Sequence, residues 1–120
     1  MTKVRKSLGR VGETLAAKLL QKKGHQILAL NLRSKLGEID ILSKEGRTIV
    51  VTEVKTKTSD FFGAAIEMIT PVKQRKLVLL THHLQAQYKT NNVRIDVVAV
   101  DNAGSEPRLT HHKGVIEYHG

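Results

Sequence analysis

The stretch GEIDILSKEGRTIVVTEVKTK, Gly37 to Lys57, constrains the fold more than any other part of the chain. Two runs rich in Ile and Val, 37–43 and 48–57, flank the turn signal KEGR and predict a hairpin. Strand side chains alternate, so Glu38, Asp40 and Leu42 share one face of the first strand. Val51, Glu53, Lys55 and Lys57 share one face of the second. A turn closing around Gly46 and Arg47 sets Asp40 opposite Glu53 and Glu38 opposite Lys55. Like charges directly opposed weaken a sheet, so the acids need a positive partner. Lys55 meets part of that need, and a divalent cation meets it better, because carboxylate oxygens suit Mg2+, Mn2+ or Ca2+. The plain alternative is a Glu38–Lys55 cross-strand salt bridge with the other acids in water. Apolar residues on both faces weigh against it. Leu42, Ile49 and Val51 accompany the acids, and Ile39, Ile41, Val50 and Val54 line the other side, as in a central hairpin.

The remaining elements follow from spacing. Leu8, Val11, Leu15, Leu19 and Leu20 recur at helical intervals over Ser7 to Lys23, with Ser7 as the expected cap and KKG as the stop. Residues 25–34 read as a strand and 59–65 as a loop or irregular crossing. Thr70 and Pro71 start a helix running to about Lys89. VRIDVVAV (93–100) reads as a buried strand, and 109–118 as a weak last strand. The order α-β-β-β-α-β predicts an α/β fold. A helical crossing lets the third and fourth strands lie parallel beside antiparallel hairpins, giving a mixed central sheet flanked by helices. With no repeat or linker, residues 1–120 are expected to form a single domain, its core over about 8–101 and a tail over 102–120.

Composition narrows the classes. The net charge is +9, which points to a polyanionic partner, since Lys and Arg release counterions from nucleic acid. There is no cysteine, which excludes a disulfide framework and thiolate metal sites. No apolar run follows the N-terminal charges and none reaches the roughly 18 residues of a membrane span, so a cytoplasmic protein with no membrane partner is expected. The pairs His82–His83 and His111–His112 suit packing or surface roles better than a shared metal, since adjacent histidines in a helix point about 100° apart. GRVGE is not a phosphate-binding loop, lacking the Lys-Ser/Thr that follows and the strand that precedes.

An acid closing one strand and an acid-x-Lys on the next resembles the PD-(D/E)XK nuclease superfamily, with its restriction-endonuclease-like three-layer fold. More closely, GRVGETLAAKLLQKKG (9–24), NLRSKLGEIDIL (31–42), VVTEVKTK (50–57), the Lys73–Lys76 helix and VRIDVVAV together resemble the YraN family, related to archaeal Holliday-junction resolvases. That resemblance implies Asp40 and Glu53 as metal ligands, with the Val54 carbonyl as a backbone ligand and Glu13 completing or supporting the site. Lys55 is implied as the catalytic lysine and Glu38 as an additional, outer acid. Thr52 departs from the family pattern, standing where an apolar residue usually precedes Glu-Val-Lys.

Arg33, Lys35 and Lys57 flank the acids and are candidate phosphate contacts. So are Lys73, Arg75 and Lys76, cations in the first turns of a helix where the dipole disfavours them. The expected function is a Mg2+- or Mn2+-dependent endonuclease acting on DNA, branched or structured DNA included. The alternative is a nucleic-acid-binding protein that keeps the fold without turnover. Relatives that cut symmetric junctions imply a homodimer.

Overall fold

A computed structural model describes residues 3–57, 64–101 and 104–116, and the side chains among them except those of 3–10 and of Lys57. The chain runs α1 (Lys3–Lys22), β1 (Gln26–Ser34), β2 (Gly37–Glu45), β3 (Thr48–Lys57), a short 3-10 turn (Ala65–Met68), α2 (Pro71–Tyr88), β4 (Val93–Asp101) and β5 (Arg108–His112). The five strands form one sheet in the order β1-β2-β3-β4-β5. β3 and β4 are parallel, as the helical crossing requires, and the other neighbours are antiparallel. The expected mixed α/β sheet is present. β5 adds a strand to the expected core, though it ends at His112 rather than near 118.

Two apolar layers cover the sheet. Leu77, Leu80 and Leu84 of α2 pack with Leu42, Ile49, Val51, Ile95 and Val97. Ala16, Ala17 and Leu20 of α1 pack with Ile41, Val98 and Val100. The buried stripe of α1 is narrower than its apolar spacing suggests. Leu20 is buried as that spacing implies, alongside Ala16 and Ala17, while Val11 is 53% exposed. A Cβ on Gly12 would lie 3.7 Å from Val100 and 3.8 Å from Val54, so this turn of the helix rests directly on β3 and β4.

Local chemistry sets the helix ends. α1 begins at Lys3, so Ser7 lies inside it and does not cap it. Its C-terminus closes with Gly24 at φ 95°, where the His25 N–H donates to the Leu20 carbonyl and the Gly24 N–H to that of Gln21. This double bond satisfies carbonyls the helix cannot reach by itself. Thr70 caps α2 as expected, its Oγ1 accepting from the Lys73 N–H. The hairpin turns at Gly46, φ 60°, a left-handed conformation cheap only for glycine.

Thr52 is fully buried and its Oγ1 has no hydrogen-bond partner. An unpaired buried hydroxyl costs on the order of 1 kcal/mol, so Thr52→Val is expected to raise stability by about that amount in urea unfolding. An unchanged or lower unfolding midpoint would show that the hydroxyl is satisfied after all.

A second polar group lies under the C-terminal end of α1. Asp96, fully buried, accepts from Arg94 Nε (2.8 Å) and Nη2 (3.0 Å), His111 Nε2 (2.7 Å) and the Gly114 N–H (3.0 Å). Lys23 Nζ lies 2.9 Å from His111 Nδ1. An ammonium only donates, so Nδ1 accepts and Nε2 carries the proton given to Asp96. Arg94 also reaches Glu45 at 3.0 Å, and buried His25 hydrogen-bonds Ser43 at 2.9 Å. Burial would raise the Asp96 carboxyl, but the hydrogen bonds from His111, Arg94 and the Gly114 N–H hold it down at about 2. The histidine at 111 thus has the packing role its sequence setting suggested.

Candidate active site

β2 and β3 hold the expected register from Glu45↔Thr48 to Ile41↔Thr52, and the ladder ends there. Asp40 and Glu53 are the next residues on each strand. In place of a further rung, the Val54 N–H donates to Asp40 Oδ2 at 2.8 Å. β2 follows β1 away from β3 (Arg33 pairs with Glu38, Leu32 with Ile39) while β3 continues along β4 to Lys57. The hairpin forks, and the acids stand in the fork.

The fork corrects two expectations. Glu38 and Lys55 are not strand partners, since Glu38 pairs with Arg33 and Lys55 with Ala99. Ile39 joins the α2-side cluster with Leu42 rather than the α1-side cluster with Ile41, because side-chain alternation breaks where β2 diverges.

Glu53 is the most enclosed member of the site, its side chain 6% exposed. Its Oε1 lies 3.6 Å from Lys55 Nζ and its Oε2 3.8 Å from Lys73 Nζ. At 3.8 Å Lys73 does not hydrogen-bond Oε2, which stays buried without a hydrogen-bond partner. Burial first, and then the Asp40 charge, raise the Glu53 carboxyl to about 7. Burial also raises Asp40, against the opposing pull of the Val54 N–H and Lys73. A site that strains both carboxylates towards protonation, and leaves one oxygen unpaired, suits a bound cation.

The other expected residues divide by position. Glu13 is half-buried on α1, directly after the Gly12 contact with Val54. Among the described residues no group of three or more His, Cys, Asp or Glu side chains is gathered so as to hold a metal ion. Arg33, Lys35, Arg75 and Lys76 are exposed. Lys76 lies over Gly37, so the start of α2 meets the β1–β2 turn. The Lys57 side chain lies outside the described residues. Lys73 is the residue sequence reasoning placed least well. It reaches inward to the acids, and its awkward position in the first turn of α2 was the available signal.

The pattern of the Uncharacterised protein family UPF0102 matches residues 12–100. The chain belongs to this family, the YraN family of the sequence resemblance. It is 42% identical to a UPF0102 protein of Mycolicibacterium vanbaalenii over 117 residues, covering 95% of this chain and 97% of that one. It is likewise 42% identical to one of Pelotomaculum thermopropionicum over 120 residues (97% and 100%), and 46% identical to one of Caldicellulosiruptor saccharolyticus over 98 residues (80% and 83%). The family match includes Glu13, Asp40, Glu53, Lys55 and Lys73, and stops before β5. Among the described residues no helix is long and apolar enough to cross a membrane.

Proposed function

We propose that this chain is a metal-dependent endonuclease that hydrolyses DNA phosphodiester bonds, branched or structured DNA included. The observation that carries the reading is the buried Glu53 Oε2, without a hydrogen-bond partner, beside Asp40 in the fork of β2 and β3. A binding protein with no chemistry to perform gains nothing from two carboxylates that repel each other out of water.

Asp40 and Glu53 would hold Mg2+ or Mn2+, with the adjacent Val54 carbonyl as a backbone donor. Bound there, the ion lowers the pKa of a water and offsets charge on the phosphate. The Val54 N–H fixes the Asp40 carboxylate in place. Lys55, 38% exposed and 3.6 Å from Glu53, can hold a water and stabilise negative charge as it develops on phosphate oxygens. Arg33, Lys35, Arg75 and Lys76 offer the backbone contacts that position a duplex. The superfamily resemblance, with its restriction-endonuclease-like layers, supports the same reading. The lack of a third gathered ligand among the described residues favours the second one, a nucleic-acid binder without turnover.

Linear duplex, single-stranded and four-way-junction DNA, each incubated with Mg2+ and with EDTA, separate the two. Metal-dependent cutting is expected, falling on the order of a hundredfold in Lys55→Met, which removes one charge-stabilising donor. Binding without cutting in any metal supports the second reading. Cutting that survives in both Lys55→Met and Glu53→Ala would belong to a contaminant.

A further inference from the structure

We propose that Lys73 is a built-in counter-cation of the Asp40–Glu53 pair, and that it competes with a divalent cation for that pair and so sets the affinity of the site. The inference rests on the nuclease reading and adds a residue that controls metal loading.

Lys73 sits in the first turn of α2, where its charge opposes the positive helix end. Local stability gives no reason for a cation there, and the tertiary contacts give one. Its Nζ donates to the Glu38 carbonyl at 2.7 Å, in the part of β2 that has parted from β3. The same Nζ stands 3.8 Å from Glu53 Oε2, and the side chain is 24% exposed. The ammonium is therefore tethered by a strong bond to main chain and held one step back from the carboxylate. That distance keeps most of the Coulomb attraction but makes no hydrogen bond, so the Oε2 lone pairs remain available.

This arrangement has a consequence for metal. Three carboxylates (Glu38, Asp40 and Glu53) face two ammonium groups (Lys55 and Lys73) around the fork. A divalent cation reaching Oε2 meets the Lys73 charge at close range and must be bound against it. Lys73 thus stabilises the empty site and weakens metal binding through the same charge. Lys55 differs, being 38% exposed and paired with the Glu53 carboxylate at 3.6 Å rather than bonded to main chain.

The test is calorimetric titration of Mn2+ at pH 8.5 into wild type, Lys73→Met and Lys73→Arg, beside thermal unfolding without metal. Lys73→Met is expected to bind Mn2+ roughly tenfold more tightly, as removal of a unit charge a few ångströms away in a partly screened site implies, and to melt at lower temperature without metal. Lys73→Arg, which keeps the charge, is expected to stay within about twofold of wild type. Equal or weaker binding by a folded Lys73→Met overturns the counter-cation role while leaving the metal site standing. No Mn2+ binding by any of the three overturns the metal reading and this inference with it. Should Lys73→Met fail to fold, Mg2+ titration of wild type decides, followed by the 13Cε signal of Lys73. A shift that tracks metal occupancy supports the competition, and a signal that stays still while metal binds overturns it.

Discussion

Asp96→Asn is expected to destabilise the protein by roughly 3–5 kcal/mol, the usual cost of breaking a buried charge network from one side. Both carboxylate oxygens of Asp96 already accept two donors. Oδ1 takes Arg94 Nε and the Gly114 N–H, and Oδ2 takes Arg94 Nη2 and His111 Nε2. An asparagine must turn its NH2 towards one of these pairs, setting donor against donor and leaving the Arg94 charge without its buried partner. His111 cannot relieve the clash by changing tautomer, because Lys23 requires Nδ1 to accept. Urea unfolding followed by circular dichroism measures the loss. A change under about 1 kcal/mol would mean that water reaches the network. The same carboxyl makes a pH prediction. Its folded pKa, about 2, lies below its ordinary 3.8, so its contribution is complete above about pH 4 and is lost as pH falls from there through 2.

Glu53 makes the opposite prediction. Its carboxyl is raised from 4.5 to about 7, so the folded, metal-free protein binds that proton more tightly than the unfolded chain does. Ionising Glu53 therefore costs stability above pH 7, and the cost disappears as pH falls through 7 towards 4.5. A shift of this size amounts to about 3 kcal/mol at most. Glu53→Gln keeps the shape and removes the charge. Without metal it is expected to exceed wild type by about 2–3 kcal/mol at pH 8.5 and to match it near pH 5. The comparison must be between variants, because buried His25 titrates in the same range. Its pKa is lowered by burial, so its neutral form favours folding above 6.5 and loses that advantage below. Mg2+ should narrow the gap at pH 8.5 by stabilising wild type alone. Parallel stability curves from pH 5 to 8.5 would show that Glu53 is ordinarily solvated.

Most elements were legible in the sequence because they depend on near neighbours. The turn at Gly46, the Thr70 cap and the strand register each follow from residues within a few positions of one another. The acids were legible as a pair for the same reason, since register carries Asp40 to Glu53 once the turn is known. What was missed shares a cause as well. α1 rests on the sheet through Leu20 as its spacing implied, and also through Gly12 and Ala16, whose small side chains carry little hydrophobic signal, while Val11 of the same series is exposed. VRIDVVAV is the buried strand it reads as, but the partners that let Asp96 be buried there, His111 and Gly114, come from far along the chain.

The sequence alone determined that this chain carries a central acidic hairpin with a lysine two residues past the second acid. Only the tertiary structure decided that the hairpin forks at those acids, and that Lys73 leans into the fork. Lys73 and the carbonyl it bonds lie 35 residues apart, and Lys23 and His111 lie 88 apart. No periodicity reaches across such separations. Those partners meet because two helices bury opposite faces of one sheet, which brings helix ends over strands distant in sequence.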